Sequence, residues 1–120
     1  MGRDATRSRT TGCVRLGAGI SGLGERNHRG IARGRSHLAD QFTRASLSIV
    51  LNLAEGAGKH SKLDKRRYYV TARGSATESA ALLDVCQRLK LLDEAGHRAA
   101  KGMLVRIVSM LIKLAQSCED

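Results

Sequence analysis

A segment of apolar side chains spanning residues 38 to 54 constrains the fold of this chain more than any other feature. Part of it recurs at the three- and four-residue steps of an amphipathic helix: Leu38, Phe42, Ala45, Ile49 and Leu53. Further apolar residues widen that stripe: Leu47, Val50, Leu51 and Ala54. A helix that is apolar over most of its surface must be covered on several sides, so the chain requires additional helices or additional subunits.

The residue composition favours a helical core over a β-sheet core. The chain has 120 residues, 42% of them hydrophobic, which fits one domain of common size. It contains one Phe, two Tyr, no Trp and no Pro, so the core must be built from aliphatic residues, which suit helix packing. We therefore predict an all-α fold, an antiparallel up-and-down helical bundle.

Two more helices are predicted after the apolar segment, which should end at Gly56 and Gly58 because glycine favours helix C-caps. The second helix should begin after the capping residue Ser61 and run to about Leu92. Its expected inward positions are Tyr69, Ala72, Ala76, Ala80, Leu83, Cys86 and either Leu89 or the aliphatic stem of Lys90. The third helix should follow an N-cap at Asp93. Its expected inward positions are Ala100, Met103, Leu104, Ile107, Leu111 and Leu114.

The first 35 residues differ sharply in composition from the rest of the chain. They hold eight of the thirteen glycines, and eight arginines against only Asp4 and Glu25. Helical and alternating periodicities are both missing there. We therefore predict that residues 1–35 are disordered and that residues 36–120 form the helical bundle domain.

Three motifs stand out between Arg44 and Asp93: Asn-Leu-Ala-Glu-Gly at residues 52–56 with a basic linker after it, Ala-Arg-Gly-Ser at residues 72–75, and Leu-Lys-Leu-Leu-Asp at residues 89–93. With these motifs, the stretch resembles the four-helix-bundle family of 23S rRNA-intervening-sequence proteins. The resemblance extends over about residues 32 to 116.

The resemblance implies an up-and-down bundle of four helices, often assembled as a ring of five, with no enzymatic activity. In a related branch, the accessory variability protein of diversity-generating retroelements, the bundle is a basic platform that binds a reverse transcriptase and nucleic acid. The resemblance therefore implies these two partners for this chain. The first helix of the family has no recognisable counterpart in residues 1–31. We therefore expect three helices in this chain. The N-terminal segment is expected to be either disordered or the degenerate remnant of a lost first helix. A shifted reading frame or a wrongly chosen start would produce such a segment, and resequencing the 5′ end of the gene tests that hypothesis.

Six residues in the matched motifs are signature positions that we expect to be structural: Asn52, Glu55, Gly56, Gly74, Ser75 and Glu78. Asn52 and Glu55 share a helix face, as do Ser75 and Glu78, and both pairs favour interhelical hydrogen bonds and capping. Gly74 lies in mid-helix, where glycine is costly, so it predicts tight packing or a contact. The alternative to a structural role is an enzyme, namely a metal-dependent nuclease that uses the carboxylates of Glu55 and Glu78.

A cluster of cations follows the first helix and is the candidate binding surface for nucleic acid: Lys59, Lys62, Lys65, Arg66, Arg67 and Arg73. Such side chains meet phosphates as ions rather than as readers of bases. The alternative is a solvated cationic face without a ligand. One of Tyr68 and Tyr69 should be buried and the other partly exposed, because neighbouring helical residues point about 100° apart.

Other kinds of site find little support in the sequence. Cys13, Cys86 and Cys118 lack zinc or disulfide spacing, and the last two are expected to be small core residues. We predict no metal, cofactor or catalytic residues. The apolar runs are shorter than a membrane span and the N-terminus lacks the apolar segment of a signal peptide, so a cytoplasmic protein is expected.

A formal net charge of +10 favours polyanionic partners. Together with the resemblance, it predicts a non-catalytic homo-oligomer, by resemblance a pentamer, that binds RNA or DNA, or a nucleic-acid enzyme such as a reverse transcriptase. The alternative is a purely structural adaptor or assembly scaffold, in which the apolar face of residues 38–54 forms subunit contacts without nucleic acid.

Overall fold

Three helices in antiparallel succession make up the structure, a computed structural model that describes residues 36–119. Helix α1 covers residues 36–57, α2 covers Lys62–Arg88 and α3 covers Glu94–Ser117. Residues 36–119 contain no strand. Contacts between Ser48 and Ser75 and between Gly56 and Tyr69 show that α1 and α2 run in opposite directions. The predicted all-α, up-and-down architecture is confirmed, while the expectations for residues 1–35 lie outside the described residues.

Helix α1 buries the predicted stripe except for Leu38, which is half-buried, and it ends at the predicted glycines. Phe42, Ala45, Ile49 and Leu53 are buried, as is Ser46. The Ser46 hydroxyl donates to the carbonyl of Phe42 at 2.7 Å, so its burial leaves no unsatisfied donor. After residue 57 the amide of Gly58 bonds back to the carbonyl oxygens of residues 54 and 55, which closes the last turn.

Helix α2 begins as the sequence predicts but ends earlier. The Ser61 hydroxyl accepts a hydrogen bond from the amide of Asp64 at 3.0 Å, which satisfies one of the free donors of the first turn. The helix stops at Arg88, so the predicted end near Leu92 is wrong. The inward position expected for Leu89 or the stem of Lys90 is also wrong, because Leu89 is 41% exposed and Lys90 is exposed as well.

The early end of α2 has a specific backbone cause. Lys90 adopts a left-handed conformation with φ of 59°. Its amide donates to the carbonyl of Gln87, and the amide of Leu91 donates to the carbonyl of Cys86, both at 2.9 Å. This is the hydrogen-bond pattern of a Schellman motif, and Leu91 packs beside Cys86 as the motif requires. A lysine occupies the position where glycine is usual.

Helix α3 begins at the predicted cap and buries most of the predicted residues. A carboxylate oxygen of Asp93 accepts from the amide of Gly96 at 2.6 Å. The buried residues of α3 are Ala100, Leu104, Ile107, Leu111, Leu114 and Ala115. Met103, predicted to point inward, is half-buried and packs against the edge of the core.

The core is a continuous cluster drawn from all three helices. Its largest fully buried side chains are Tyr69, Phe42, Ile49, Leu53, Leu83, Leu104, Ile107, Leu111 and Leu114. The buried residues of α2 include the small residues Ala72, Ala76 and Ser79. Their small side chains allow α1 and α3 to approach α2 closely. Cys86 and Cys118 are buried, as predicted, and both are free thiols.

Two predictions for the surface of α2 need correction. Gly74 is exposed, and a Cβ atom added there would meet no atom within 4 Å, so the tight packing predicted for it is absent from the residues described. Ala80, predicted to point inward, is only half-buried, whereas Ser79 and Leu82 are buried instead. The inward face is thus rotated slightly from the predicted one.

The outer face of α1 has an apolar part that is open to solvent. Leu47 is 46% exposed and Leu51 is 56% exposed, although both belong to the segment whose apolar width dominates the sequence. Helices α2 and α3 therefore cover one side of α1 and do not cover the side that carries Leu47 and Leu51.

Candidate functional site

The positive charge of the described chain is concentrated at the junction of α1 and α2. Residues 59–73 hold six cations and one acid, Asp64. The rest of the described chain, residues 36–58 and 74–119, holds seven cations and seven acids. The junction therefore accounts for the whole excess of positive charge within residues 36–119, and this makes it the candidate site for a polyanion.

One cation of the junction is used to hold the fold together. The Lys65 ammonium donates to the carbonyl of Ala57 at 3.1 Å and to that of Gly56 at 3.4 Å. These carbonyls belong to the last turn of α1, where free acceptors and the negative end of the helix dipole favour a cation. Lys65 therefore ties the start of α2 to the end of α1.

Three further cations share one face of α2. The steps of four and seven residues from Lys62 to Arg66 and Arg73 place them within one helical stripe. Arg66 lies 3.5 Å from Glu119, in an exposed pair of little stabilising value. Lys62 and Arg73 have no anionic partner among residues 36–119. Their charges remain available to an external anion.

The other cations line a pocket between α1 and α2. This pocket has a volume of about 350 Å³, and its walls are Asn52, Lys59, Asp64, Arg67, Tyr68 and Thr71. The Lys59 ammonium lies 5.3 Å from the centre of the Tyr68 ring and 3.9 Å from a carboxylate oxygen of Glu55. Arg67 lies 3.9 Å from Asp64, and its side chain is 71% exposed. The structure therefore divides the predicted cluster between a helix face and a pocket.

The two tyrosines have the different environments predicted for them. Tyr69 is 1% exposed and belongs to the core, whereas Tyr68 is half-buried and lines the pocket. Gly56 is buried against both, and a Cβ atom there would lie 2.8 Å from Cε1 of Tyr69 and 3.0 Å from Cβ of Tyr68. Only glycine allows this close approach, which gives the signature position Gly56 its structural role.

Polar side chains connect α1 to α2 just beyond the pocket. The hydroxyls of Ser48 and Ser75 form a hydrogen bond at 2.8 Å. The Asn52 amide nitrogen donates to the Ser48 hydroxyl at 3.0 Å and to the Ser48 carbonyl at 2.8 Å. The interhelical hydrogen bond expected at Ser75 is confirmed. Its partner Ser48 was not predicted, because only the register between the helices brings the two together.

The two signature carboxylates lie far apart. Glu55 is near Lys59 at one end of α1, whereas Glu78 accepts from the amide nitrogen of Gln41 at 3.5 Å near its other end. Gln41 and Glu55 are separated by about 21 Å along the helix axis, from a rise of about 1.5 Å per residue. One metal ion cannot bridge Glu55 and Glu78, and residues 36–119 contain no cluster of three ligands suited to a metal.

A larger groove of about 490 Å³ extends along α1 and α2 from the serine pair. Its walls are His37, Asp40, Gln41, Arg44, Ala45, Ser48, Ser75 and Glu78. The two carboxylates, Asp40 and Glu78, outnumber the one guanidinium, Arg44. This groove therefore has no excess of positive charge and suits a polyanion less well than the pocket at Tyr68.

An ion cluster that no sequence pattern predicted joins α2 to α3. Both Asp84 carboxylate oxygens lie 2.7 Å from the Lys101 ammonium, and one lies 2.8 Å from Nε2 of His97. The hydrogen bond from Lys101, and then that from His97, hold the Asp84 pKa below its ordinary value. Burial raises the pKa of the nearby Cys86 thiol, which keeps it protonated. Asp84, His97 and Lys101 join α2 to α3, whereas Cys86 packs beside Ala39 of α1.

No helix within residues 36–119 combines the length and the apolar character needed to cross a bilayer.

Comparisons with known proteins identify the chain's relatives. A family model described as 23S rRNA-intervening sequence protein matches residues 31–113. No protein among the curated sequences matches. A solved structure similar to this one is a protein of unknown function from the S23 ribosomal protein family of Bacteroides thetaiotaomicron. Its TM-score is 0.83 at 14% identity, over 90% of this chain and 98% of that one. At that identity the likeness shows the fold.

Proposed function

Since this chain belongs to the 23S rRNA-intervening sequence protein family, we propose that it is a non-catalytic, homo-oligomeric bundle that binds nucleic acid through the junction of α1 and α2. The concentration of charge at residues 59–73 is the observation that carries this proposal. A nucleic-acid enzyme, such as a reverse transcriptase, is a further partner class that the resemblance implies.

The electrostatic part of the proposal rests on cations without internal partners. Lys62 and Arg73 have no carboxylate within ion-pair distance in the described chain, and Arg67 has only a distant one. Exposed cations that are not neutralised attract phosphates and release condensed counterions on binding. Repetition of the junction in an oligomer would add several such patches, and avidity would strengthen binding to a long polyanion.

The oligomeric part of the proposal rests on the outer face of α1. Leu47 and Leu51 are one helical turn apart and both are about half exposed, with the exposed Ala54 beyond them. Apolar side chains aligned in this way are typical of a subunit interface. A ring of five, implied by the resemblance, stays a prediction about the stoichiometry.

A structural adaptor without nucleic-acid binding is the second candidate. The same α1 face favours it, since that face would serve protein contacts whether or not the cations meet phosphates. The two candidates differ only in what the junction does.

Fluorescence anisotropy with labelled RNA and DNA across a salt series tests the electrostatic mechanism. The logarithm of the binding constant should fall linearly with the logarithm of salt concentration, with a slope of about 0.7 to 0.9 per phosphate contacted. Absence of binding at low salt, or binding that does not respond to salt, would leave the adaptor function.

Charge reversal at two matched pairs of residues tests the location of the surface. The variant Lys62→Glu/Arg73→Glu should lose most binding and lower the salt slope by about 1.5, because two phosphate contacts are removed. Arg106→Glu/Lys113→Glu is the control: these two cations of α3 are exposed, and their reversal changes the net charge by the same amount. Equal loss in both variants would mean that net charge, rather than the junction, controls binding. Light scattering should show the oligomer unchanged in each.

A further inference from the structure

The pocket between α1 and α2 combines an aromatic ring, two cations and an oriented amide. We propose that it binds one unpaired nucleotide of a single-stranded nucleic acid, with the base stacked on Tyr68 and the phosphate held by Lys59 and Arg67. This inference rests on the proposed function and adds to it the form of nucleic acid and the residues that recognise it.

The ring of Tyr68 presents a face that a base can reach. The Lys59 ammonium lies over it, 5.3 Å from the ring centre, and the Lys59 side chain is 38% exposed. A cation over an exposed ring is held less strongly than a stacked base. A base therefore displaces the ammonium from the ring, and the displaced ammonium becomes free to meet the phosphate that enters with the base.

The backbone and the Cβ atom that carry the ring are held in position before any ligand arrives. Tyr69, the next residue, is fully buried in the core, and Gly56 of α1 approaches both tyrosines closely. Since the backbone of α2 is packed against α1 at this point, stacking on Tyr68 requires little ordering of the protein. A rigid aromatic surface of this kind is what single-strand-binding proteins present to successive bases.

The amide of Asn52 is oriented with an acceptor left over. Its nitrogen donates to the Ser48 hydroxyl and carbonyl, whereas no donor to its Oδ1 oxygen lies within residues 36–119. Because Asn52 lines the pocket, Oδ1 can accept a hydrogen bond from an exocyclic amine of a base or from a ribose hydroxyl. Ser48 thus acts as a positioning residue for Asn52.

The dimensions and chemistry of the pocket favour a single strand over a duplex. A volume of about 350 Å³ lies at the lower end of the range for small-ligand sites, where one nucleotide fits. In a duplex the faces of each base are covered by its neighbours, so only phosphates could reach the pocket. The larger groove near Glu78 offers two carboxylates and no aromatic ring, which makes it the poorer candidate.

Anisotropy titration of fluorescein-labelled oligouridine, and of a mixed-sequence RNA duplex of equal length, tests the proposal with the full chain. The variant Tyr68→Leu should weaken oligouridine binding about tenfold, because one base loses its aromatic partner. Tyr68→Phe keeps the ring face and should retain the affinity. Binding of the duplex should change little in either variant.

Intrinsic fluorescence gives a second readout that does not depend on the leucine variant folding well. The chain has two tyrosines and no tryptophan, and Tyr69 is buried. Unlabelled oligouridine should therefore quench the emission of Tyr68 in the native chain. In Tyr68→Phe the quenching should disappear while the affinity stays, and Lys62→Glu should weaken the binding without abolishing the quenching at saturation.

The outcomes separate this inference from the proposed function. If the native chain binds neither oligonucleotide at low salt, the proposed function fails and this inference with it. If it binds both equally, with no tyrosine quenching and no loss in a folded Tyr68→Leu variant, the junction binds phosphates alone and only this inference is overturned. Equal displacement of oligouridine by inorganic polyphosphate and by unlabelled oligouridine at the same charge concentration would also overturn it.

Discussion

At the scale of single residues, two glycines among the expected signature positions have opposite surroundings. Gly56 is buried where α1 approaches Tyr68 and Tyr69, and a methyl group there would lie 2.8 Å from a ring atom that is itself enclosed in the core. Gly74 is exposed in the middle of α2 with open space around it. The same substitution should therefore have opposite effects at the two positions.

We expect Gly56→Ala to lower the free energy of unfolding by about 1–3 kcal/mol, because the overpacked ring must shift. This cost exceeds the gain in helix propensity, which is at most about 1 kcal/mol. Gly74→Ala should instead raise the free energy of unfolding by about 0.5–1 kcal/mol. Urea denaturation followed by circular dichroism measures both. A destabilised Gly74→Ala variant would contradict the open surroundings and indicate that another molecule packs on that face.

The carboxylate of Asp84 allows a prediction about pH. Its pKa in the folded chain is lower than the ordinary value of 3.8, so its contribution to stability is present above that value. The contribution is lost as the pH falls through the lower, folded-state pKa. At neutral pH, Asp84→Asn should cost about 0.5–1 kcal/mol, since the carboxylate is about half exposed. Below both pKa values the variant and the native chain should unfold alike.

Urea titrations at neutral and acidic pH measure this difference. Glu94→Gln is the control, because the Glu94–Arg98 pair is more than three-quarters exposed on both sides and should add little at either pH. A difference between Asp84→Asn and the native chain that persists unchanged in acid would contradict the ionic origin of the effect.

At the scale of secondary-structure elements, the end of α2 sets the geometry of the α2–α3 connection. The left-handed conformation of Lys90 turns the chain so that Leu91 folds back onto Cys86 and Asp93 is placed to cap α3. A side chain with a Cβ atom is strained in this conformation, and glycine is not. The Schellman motif thus forms although Lys90 occupies the position where glycine is favoured, because the surrounding packing compensates for the strain.

Replacement of Lys90 by glycine should raise the free energy of unfolding by about 0.5–1 kcal/mol, since relief of the strained backbone exceeds the added entropy of the unfolded chain. Arg88→Gly is the matched control. It removes the same charge from an exposed neighbouring position, but at the last residue of the helix, where the conformation is right-handed, and should cost up to about 1 kcal/mol. Thermal unfolding of the two variants distinguishes them, and a loss of stability in both would contradict the role given to Lys90.

At the scale of the whole molecule, the apolar outer face of α1 and the basic junction lie on the same pair of helices. The face of Leu47 and Leu51 is on α1, and the cations follow directly on the turn and the first half of α2. Association through α1 would therefore bring the junctions of neighbouring copies into a common array, which links the two halves of the proposed function.

The variant Leu47→Glu/Leu51→Glu should reduce the mass measured by light scattering to that of one chain, because buried like charges oppose association. Val105→Glu/Ile112→Glu is the control, as these residues of α3 are also exposed and the change in charge is identical. Native chain that is already monomeric at micromolar concentration would contradict self-association directly.

Sequence patterns predicted the features that depend on neighbouring residues. The caps Ser61 and Asp93 each act on an amide three residues away, so both were identified correctly. The end of α2 was missed because no glycine marks it, and Lys90 adopts the conformation only in the folded chain.

Features that depend on the register between helices were predicted only in part. An interhelical bond at Ser75 was expected, but its partner Ser48 was not, and the contact of Asp84 with Lys101 was missed altogether. The pocket at Tyr68 likewise required Asn52 of one helix to be placed opposite Thr71 of the next. Such contacts join residues many positions apart, and periodicity within one helix carries no information about them.

Cys86 near the end of α2 and Cys118 just after α3 are buried at opposite ends of the antiparallel α2–α3 pair. Each thiol can meet a water-borne alkylating reagent only when its own end of the bundle opens transiently. The two alkylation rates, resolved by peptide mass spectrometry, would therefore report separately how often each end frays, in the native chain and without an introduced cysteine.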